Sequence, residues 1–205
     1  EAQDLKLGAP VFLRIIKTNP DGAGYRGGRI EAFVQKKEGG AFTLFKTYDI
    51  CAYSGRLGPK TQQGDNQAPE GFYFVTPSAM NPYSSYHLSF NLGYPNAYDR
   101  SHGRTGNYLM VHGKCGSIGC YAMGNAGVEE IYTLMSAAFA GGQSFVRVHA
   151  FPFDMSPAAL ARHKDSAHAA FWANLKQGWD AFELAHIPPD TRVENGRYIF
   201  ENAAE

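Results

Sequence analysis

Residues 108–123 read YLMVHGKCGSIGCYAM and place a histidine, His112, eight positions before a cysteine, Cys120. Nucleophilic cysteine chemistry needs a thiolate, an imidazole that takes and returns protons, and donors for an oxyanion. All three are within reach of this segment. Its apolar start predicts a short buried strand with His112 at its end, Gly113 permits a turn, and Gly116 and Gly119 let backbone N–H groups approach a carbonyl. Other readings fit the same residues. A buried cysteine also serves as an inert small hydrophobe, and a histidine as a satisfied hydrogen-bond partner. Cys115, Cys120, His112 and His102 could instead hold zinc, although no C-x2-C or H-x3-H spacing supports it.

The elements around this segment are β-rich. Residues 11–18 (VFLRIIKT) predict a strand that ends at the turn cluster Asn19-Pro20-Asp21-Gly22. Residues 30–37 and 42–50 flank Glu38-Gly39-Gly40 and predict a hairpin. The stretch from 53 to 70 is longer than an ordinary connection, so a functional loop is expected there. Strands follow at 71–75 and 87–92, then a polar segment at 94–107. A helix is predicted from Val128 to 140, too far along the chain to cap the thiolate, with Gly141-Gly142 stopping it. A strand at 144–151 follows. Ser156-Pro157 opens a short helix. Residues 167–185 predict a longer one with Phe171, Leu175, Trp179 and Phe182 on one face.

Composition narrows the class. The 205 residues are 44% hydrophobic and 19% charged, with 19 basic and 19 acidic side chains. That argues against disorder and removes the positive field of a non-specific nucleic-acid binder, so no nucleic-acid partner is expected. No apolar run approaches the roughly 18 residues of a membrane span. With 12 Tyr, 14 Phe and 23 Gly, a soluble β-rich protein with an aromatic-walled groove is expected. Three cysteines suggest one bridge and one leftover thiol in an oxidising compartment, or three free thiols in a reducing one. A start at Glu1 without Met fits a processed exported protein, and equally a trimmed one.

The run His112-Gly113 followed by Ser117, Gly119, Cys120 and Met123 resembles the signature of YkuD-type L,D-transpeptidases. Ala68-Pro69-Glu70-Gly71-Phe72-Tyr73 is similar to that family's strand entry, T-P-x-G-x-[FY]. Within the family, SGRLGPK, APEGFY, YPNAYDR, GRTG and VHGKCGSIGCYAM resemble the YafK branch, and the resemblance spans about residues 10 to 185. Two departures stand out. Ile118 occupies a position that is usually His, and the wider family spaces its His and Cys further apart. His102, 18 residues before Cys120, fits that longer spacing. His112 is preferred because it follows an apolar strand, which leaves His102 as a residue lining the cleft.

The resemblance implies an α+β fold: a single catalytic domain over 1–205, with a β-rich body at about 10–155 and helices at about 156–187 packed on it. It implies a Cys120 thiolate attacking an amide next to meso-diaminopimelate, with His112 as base and then acid. The N–H groups of Gly119 and Cys120 would hold the oxyanion, and Ser117 would brace the loop or polarise His112. No cofactor and no metal are required. Arg104 and Arg100 are candidates for gripping a stem-peptide carboxylate, or else surface ion pairs, and Tyr53, Ser54 and Arg56 for lining the groove. The partners implied are peptidoglycan stem peptides and a Braun-type outer-membrane lipoprotein, in the periplasm. The leading expectation is an amidase that cuts the diaminopimelate–lysine bond to that lipoprotein through a thioacyl intermediate. The alternative is a transpeptidase that forms 3-3 crosslinks or attaches lipoprotein. In that compartment Cys51 and Cys115 would pair and leave Cys120 free, with Cys115–Cys120 as the rival bridge.

Overall fold

Every second residue of VFLRII at 11–16 is a large aliphatic, and the residues between them are Phe12, Arg14 and Ile16, so both faces of this strand need cover. The computed structural model, which describes residues 5–18, 28–36 and 39–201, supplies it. The turn cluster at 19–22, and Lys37 and Glu38 of the predicted hairpin, lie outside the described residues. In chain order the first strands are β1 (Val11–Ile16), β2 (Arg29–Gln35), β3 (Phe42–Asp49), β4 (Ala52–Tyr53), β5 (Gly71–Val75), β6 (Met80–Asn81) and β7 (Ser89–Asn91). After a short helix α1 (Ala97–Ser101) come β8 (Met110–His112), β9 (Tyr121–Ala122), α2 (Gly124–Ala140) and β10 (Val146–Phe151). The chain then forms α3 (Pro157–Arg162), α4 (Ala169–Ala185), β11 (Asp190–Glu194) and β12 (Arg197–Glu201).

Two mixed five-stranded sheets organise the fold, in the orders β3-β2-β1-β10-β5 and β4-β9-β8-β7-β6. Each contains one parallel pair, β1–β10 in the first and β8–β9 in the second. One face of the first sheet (Leu13, Ile15, Ala32, Val148) shares a core with Phe90, Val111 and Tyr121 of the second and with Val128, Ile131 and Met135 of α2. Its other face carries Phe12 and Phe33 against Phe182 of α4, and Phe72 and Phe151 in a cluster with Trp172 and Leu175. The C-terminal helices therefore complete the core, and this explains why β1 is buried along its whole length.

Several boundaries differ from the sequence expectation. Only residues 89–91 of the strand predicted at 87–92 form, because His87 takes a positive φ of 79°. Helix α2 starts at Gly124, four residues before Val128, with no side-chain cap on its first turn. The Gly-Asn-Ala-Gly opening has poor helix propensity, so its start is set by packing on the strands. In the polar 94–107 segment, Asn96 and Asp99 form a reciprocal capping box that opens α1. The C-terminal hairpin β11–β12 turns at Asn195-Gly196, both with positive φ. Asn-Gly is the residue pair a tight type I′ turn favours.

One buried cluster ties the long 53–70 segment to the core. Lys17 Nζ lies 2.9 Å from Glu70 Oε1, and both side chains are fully buried. The same carboxylate accepts from Gly58 N–H (2.8 Å) and from Trp172 Nε1 of α4 (2.9 Å). Lys17 donates in addition to the Gly58 carbonyl at 3.0 Å. Burial lowers the proton affinity of Lys17, and Glu70 opposes that shift.

A second buried titratable group sets a pH dependence. His149 on β10 is almost fully buried, edge-on to Phe12 at 4.7 Å and to Phe72 at 4.6 Å. Burial, helped by Arg147 and Arg14, holds its pKa well below 6.5. In the unfolded chain it protonates near its ordinary value of about 6.5. The unfolded state therefore binds the proton first, and stability is lost as pH falls through that value. Urea midpoints are expected to drop between pH 7.5 and 5.5, and His149→Gln to flatten the drop; an unchanged slope in the variant would contradict this assignment.

Candidate active site

His112 ends β8, whose apolar residues sit in the central core, so its side chain is delivered to a fixed place and is only 4% exposed. Its Nδ1 lies 2.6 Å from the carbonyl oxygen of Gly113. A carbonyl can only accept, so Nδ1 carries the proton and Nε2 is left as the basic nitrogen. The Tyr86 ring packs on the imidazole at 4.7 Å. Burial lowers the pKa of His112, and the Gly113 carbonyl partly offsets this.

Cys120 follows a loop that begins at Gly113 and ends in Gly119, whose φ is +97°. A side chain at Gly119 would be strained by that φ and would press on Leu109 and on the Gln67 backbone. The half-buried Sγ accepts from Met110 N–H at 3.4 Å. Burial raises the thiol pKa, while that N–H and the Lys60 charge pull it down. With the thiol raised and the imidazole lowered, the neutral pair is favoured at rest.

Two serines hold the loop. Ser117 Oγ accepts from Cys120 N–H at 3.0 Å and donates to the Cys120 carbonyl at 2.6 Å, so it acts as a brace. Ser54 Oγ accepts from Gly119 N–H and donates to the Asn66 carbonyl at 2.8 Å, linking the catalytic loop to the 53–70 segment. The two N–H groups expected to receive the oxyanion are thus taken up by serine hydroxyls in this state. Holding a tetrahedral oxygen there requires the substrate to displace Ser54 or Ser117.

Cys51, just before β4, is bonded to Cys115 in the loop, with Cα atoms 5.4 Å apart, and Cys120 is free. The bond removes Cys115 from any metal-ligand set, and no group of three or more His, Cys, Asp or Glu among the described residues could hold a metal. The bridge closes a 64-residue separation, which corresponds to about 2–4 kcal/mol of stability. Phosphine reduction is expected to lower the urea midpoint accordingly; an unchanged midpoint would contradict a structural role.

His112, Ser117 and Cys120 line one cavity of about 810 Å³. Gly119 and Ser54 are not among its lining residues, and neither are the other residues expected to bind substrate. Arg104 is half-buried, pairs with Asp99 at 2.8 Å and covers the Tyr98 and Phe171 rings, so its charge is spent in the fold. Arg100 donates to the Pro95 carbonyl. His102 caps α1 and stacks on Tyr98 at 4.2 Å. Tyr53 is buried on β4 against Tyr121. Arg56 is exposed, and its backbone carbonyl accepts from Gln67. The wall that sequence reasoning missed is the 81–89 segment, which brings Tyr83, Ser84, Ser85, Tyr86 and Ser89 to the cavity. Its Tyr-Ser-Ser-Tyr run lies in a turn between two strands, and nothing in the run marks the cavity it faces. Lys114 Nζ, bonded to the Ser85 carbonyl at 2.6 Å, ties that segment to the catalytic loop.

The sequence profile of the YkuD family, described as an L,D-transpeptidase catalytic domain, matches residues 32–149, more than half of the chain. The chain belongs to the YkuD family of L,D-transpeptidases. It is 45% identical over 193 residues to the protein named "Putative L,D-transpeptidase YafK" in Escherichia coli K12, and equally to its namesake in strain O157:H7. Each alignment covers 94% of this chain and 74% of the relative. Among solved structures, the helical cell shape determining protein Pgp2 of Campylobacter jejuni, as a point mutant, superposes with a TM-score of 0.50 at 20% identity. That match covers 88% of this chain but only 60% of Pgp2, and it supports the α+β fold alone. As an L,D-transpeptidase-family enzyme, the protein acts on peptidoglycan. The site suits acyl transfer, in which Sγ would bond the carbonyl carbon, the thiol proton would pass to His112 Nε2, and the departing amine would take it as the C–N bond breaks.

Proposed function

We propose that this L,D-transpeptidase-family protein is a periplasmic cysteine amidase. It hydrolyses the bond between meso-diaminopimelate and the C-terminal lysine of a Braun-type lipoprotein, releasing the lipoprotein from the stem peptide. The observation that carries this reading is the character of the cavity around Cys120. Ser84, Ser85 and Tyr83 bring hydroxyls to its wall beside the apolar Tyr108, Met110 and Ile118, and Tyr83 is 94% exposed. Its volume falls within the usual range for a ligand site, about 300–1,000 Å³. A cavity with an exposed wall of this kind gives water a path to a thioester on Cys120. Similarity to the YafK proteins supports the branch, and a disulfide beside a free nucleophilic thiol suits an oxidising compartment.

The second reading, an amine-using transpeptidase, rests on the description carried by both the family profile and the YafK relatives. It is helped by the exposed apolar side chains of Tyr108 and Ile118, which could cover an acceptor amine. Mass spectrometry of products separates the two. Lipoprotein-linked sacculi should release lipoprotein with the protein and not with its Cys120→Ala variant. New 3-3 crosslinks or amine exchange on tetrapeptide muropeptides, without release, would overturn the amidase reading.

A further inference from the structure

Ser89 on β7 is 2% exposed, and its hydroxyl is the one buried side-chain oxygen or nitrogen without a hydrogen-bond partner among the described residues. A buried hydroxyl left unpaired is costly, and proteins seldom retain one without a use for it. Its position is specific. β7 and β8 are antiparallel with Ser89 opposite His112. The adjacent register position, Leu88 and Gly113, carries a ladder bond from Gly113 N–H to the Leu88 carbonyl at 3.1 Å. Ser89 and His112 are therefore a non-hydrogen-bonded pair, in which facing side chains come closest, with Cα atoms about 4.5 Å apart. Both line the cavity that contains Cys120.

We propose that Ser89 is a positioning residue for His112, its unpaired hydroxyl turning its lone pairs onto the ring as the ring becomes imidazolium. The step it assists is the transfer of the Cys120 proton to Nε2, which leaves a thiolate beside a cation; nothing else is consumed or released. The resting ring is neutral, so a fixed partner for Ser89 is not needed before transfer. A hydroxyl rotor that no other bond holds can reorient at small cost when charge appears. The lowered proton affinity of His112 fits this arrangement, because help is needed only in the charged state. The titratable groups around His112 are Cys120 in the cavity wall, Tyr86 on the ring, Lys114 in the following loop, and the His87–Glu129 pair that joins the 81–89 segment to α2. A substitution at Ser89 alters none of them.

The test uses alkylation of Cys120 by iodoacetamide across pH, which requires no peptidoglycan substrate and so stands or falls independently of the amidase reading. In Ser89→Ala, alkylation on the neutral-pH plateau should slow by about three- to tenfold. The acid limb, which reports His112, should move to lower pH by about half to one unit. Melting temperature should stay level or rise, since an unsatisfied polar group has been removed. Ser89→Thr, which keeps the hydroxyl, should preserve the wild-type profile. An unchanged Ser89→Ala profile would overturn the proposal, as would the same slowing in Ser89→Thr. A Ser89→Ala chain that fails to fold would overturn it too, because a partnerless hydroxyl contributes nothing to folding.

Discussion

Replacing Cys120 by Ala is expected to lower turnover of peptidoglycan substrate by at least about 10⁴-fold while leaving the melting temperature within a degree or two of the parent. The half-buried thiol makes only weak contacts, accepting from Met110 N–H at 3.4 Å and donating to the Tyr108 carbonyl at 3.7 Å, so the fold has little to lose. The reaction loses its only nucleophile among the cavity's thiols, since Cys115 is bonded to Cys51. His112→Asn should cost about 10²–10⁴-fold. The asparagine amide can still donate to the Gly113 carbonyl, but no basic nitrogen remains where Nε2 stood. The double variant should be no worse than Cys120→Ala alone, because the two groups act as a unit. Progress curves for all three proteins, with circular dichroism to confirm folding, check this. A His112→Asn variant that retains full activity would mean that a different base serves Cys120.

Glu70→Ala should be the most destabilising single change in the protein, by about 3–5 kcal/mol. It leaves the Lys17 ammonium unpaired in a fully buried site and strips the Trp172 and Gly58 N–H groups of their acceptor. Lys17→Met/Glu70→Gln should recover part of the loss, since the uncompensated charge causes most of it. The effect should extend to the site. Glu70 anchors the same 53–70 segment from which Ser54 holds Gly119, so Cys120 alkylation in Glu70→Gln should lose its sharp pH profile before the chain unfolds. Urea denaturation of the four proteins measures the first effect; a loss below about 1 kcal/mol in Glu70→Ala would show that Lys17 finds another partner.

Residue patterns reveal the central strands and the long helices because each has a strong period of its own. β1, β5 and β8 are apolar, and α4 repeats its large side chains at helical spacing. Strands of two residues, β4, β6 and β9, have no period to read; partners across the sheet define them. Trp172 on α4 flanks the face of Leu175 and Trp179 and is buried in the cluster with Phe151 and Phe153, where Glu70 accepts its indole N–H. The β11–β12 hairpin at Asn195-Gly196 and helix α1, opened by Asn96 and Asp99, were not read from the sequence, because each signal is local and short. In the site, His112, Ser117 and Cys120 share one cavity because a single strand and loop carry them. The arginines mislead for a physical reason. Arg104 looks like a free cation in a Gly-rich segment, and its partner Asp99, five residues earlier, becomes adjacent only once α1 forms. The 81–89 wall is illegible for the opposite reason: serines and tyrosines in a turn carry no mark of which cavity they face.

The proposed chemistry requires Cys120 to form a thioacyl bond to the stem peptide. Acid-quenching a reaction on peptidoglycan fragments, followed by proteolysis and mass spectrometry, tests it directly. A peptidyl mass increment is expected on the fragment containing Cys120, removed by hydroxylamine and absent from Cys120→Ala. Product formation with no adduct at any quench time, or with the adduct on another residue, would contradict it.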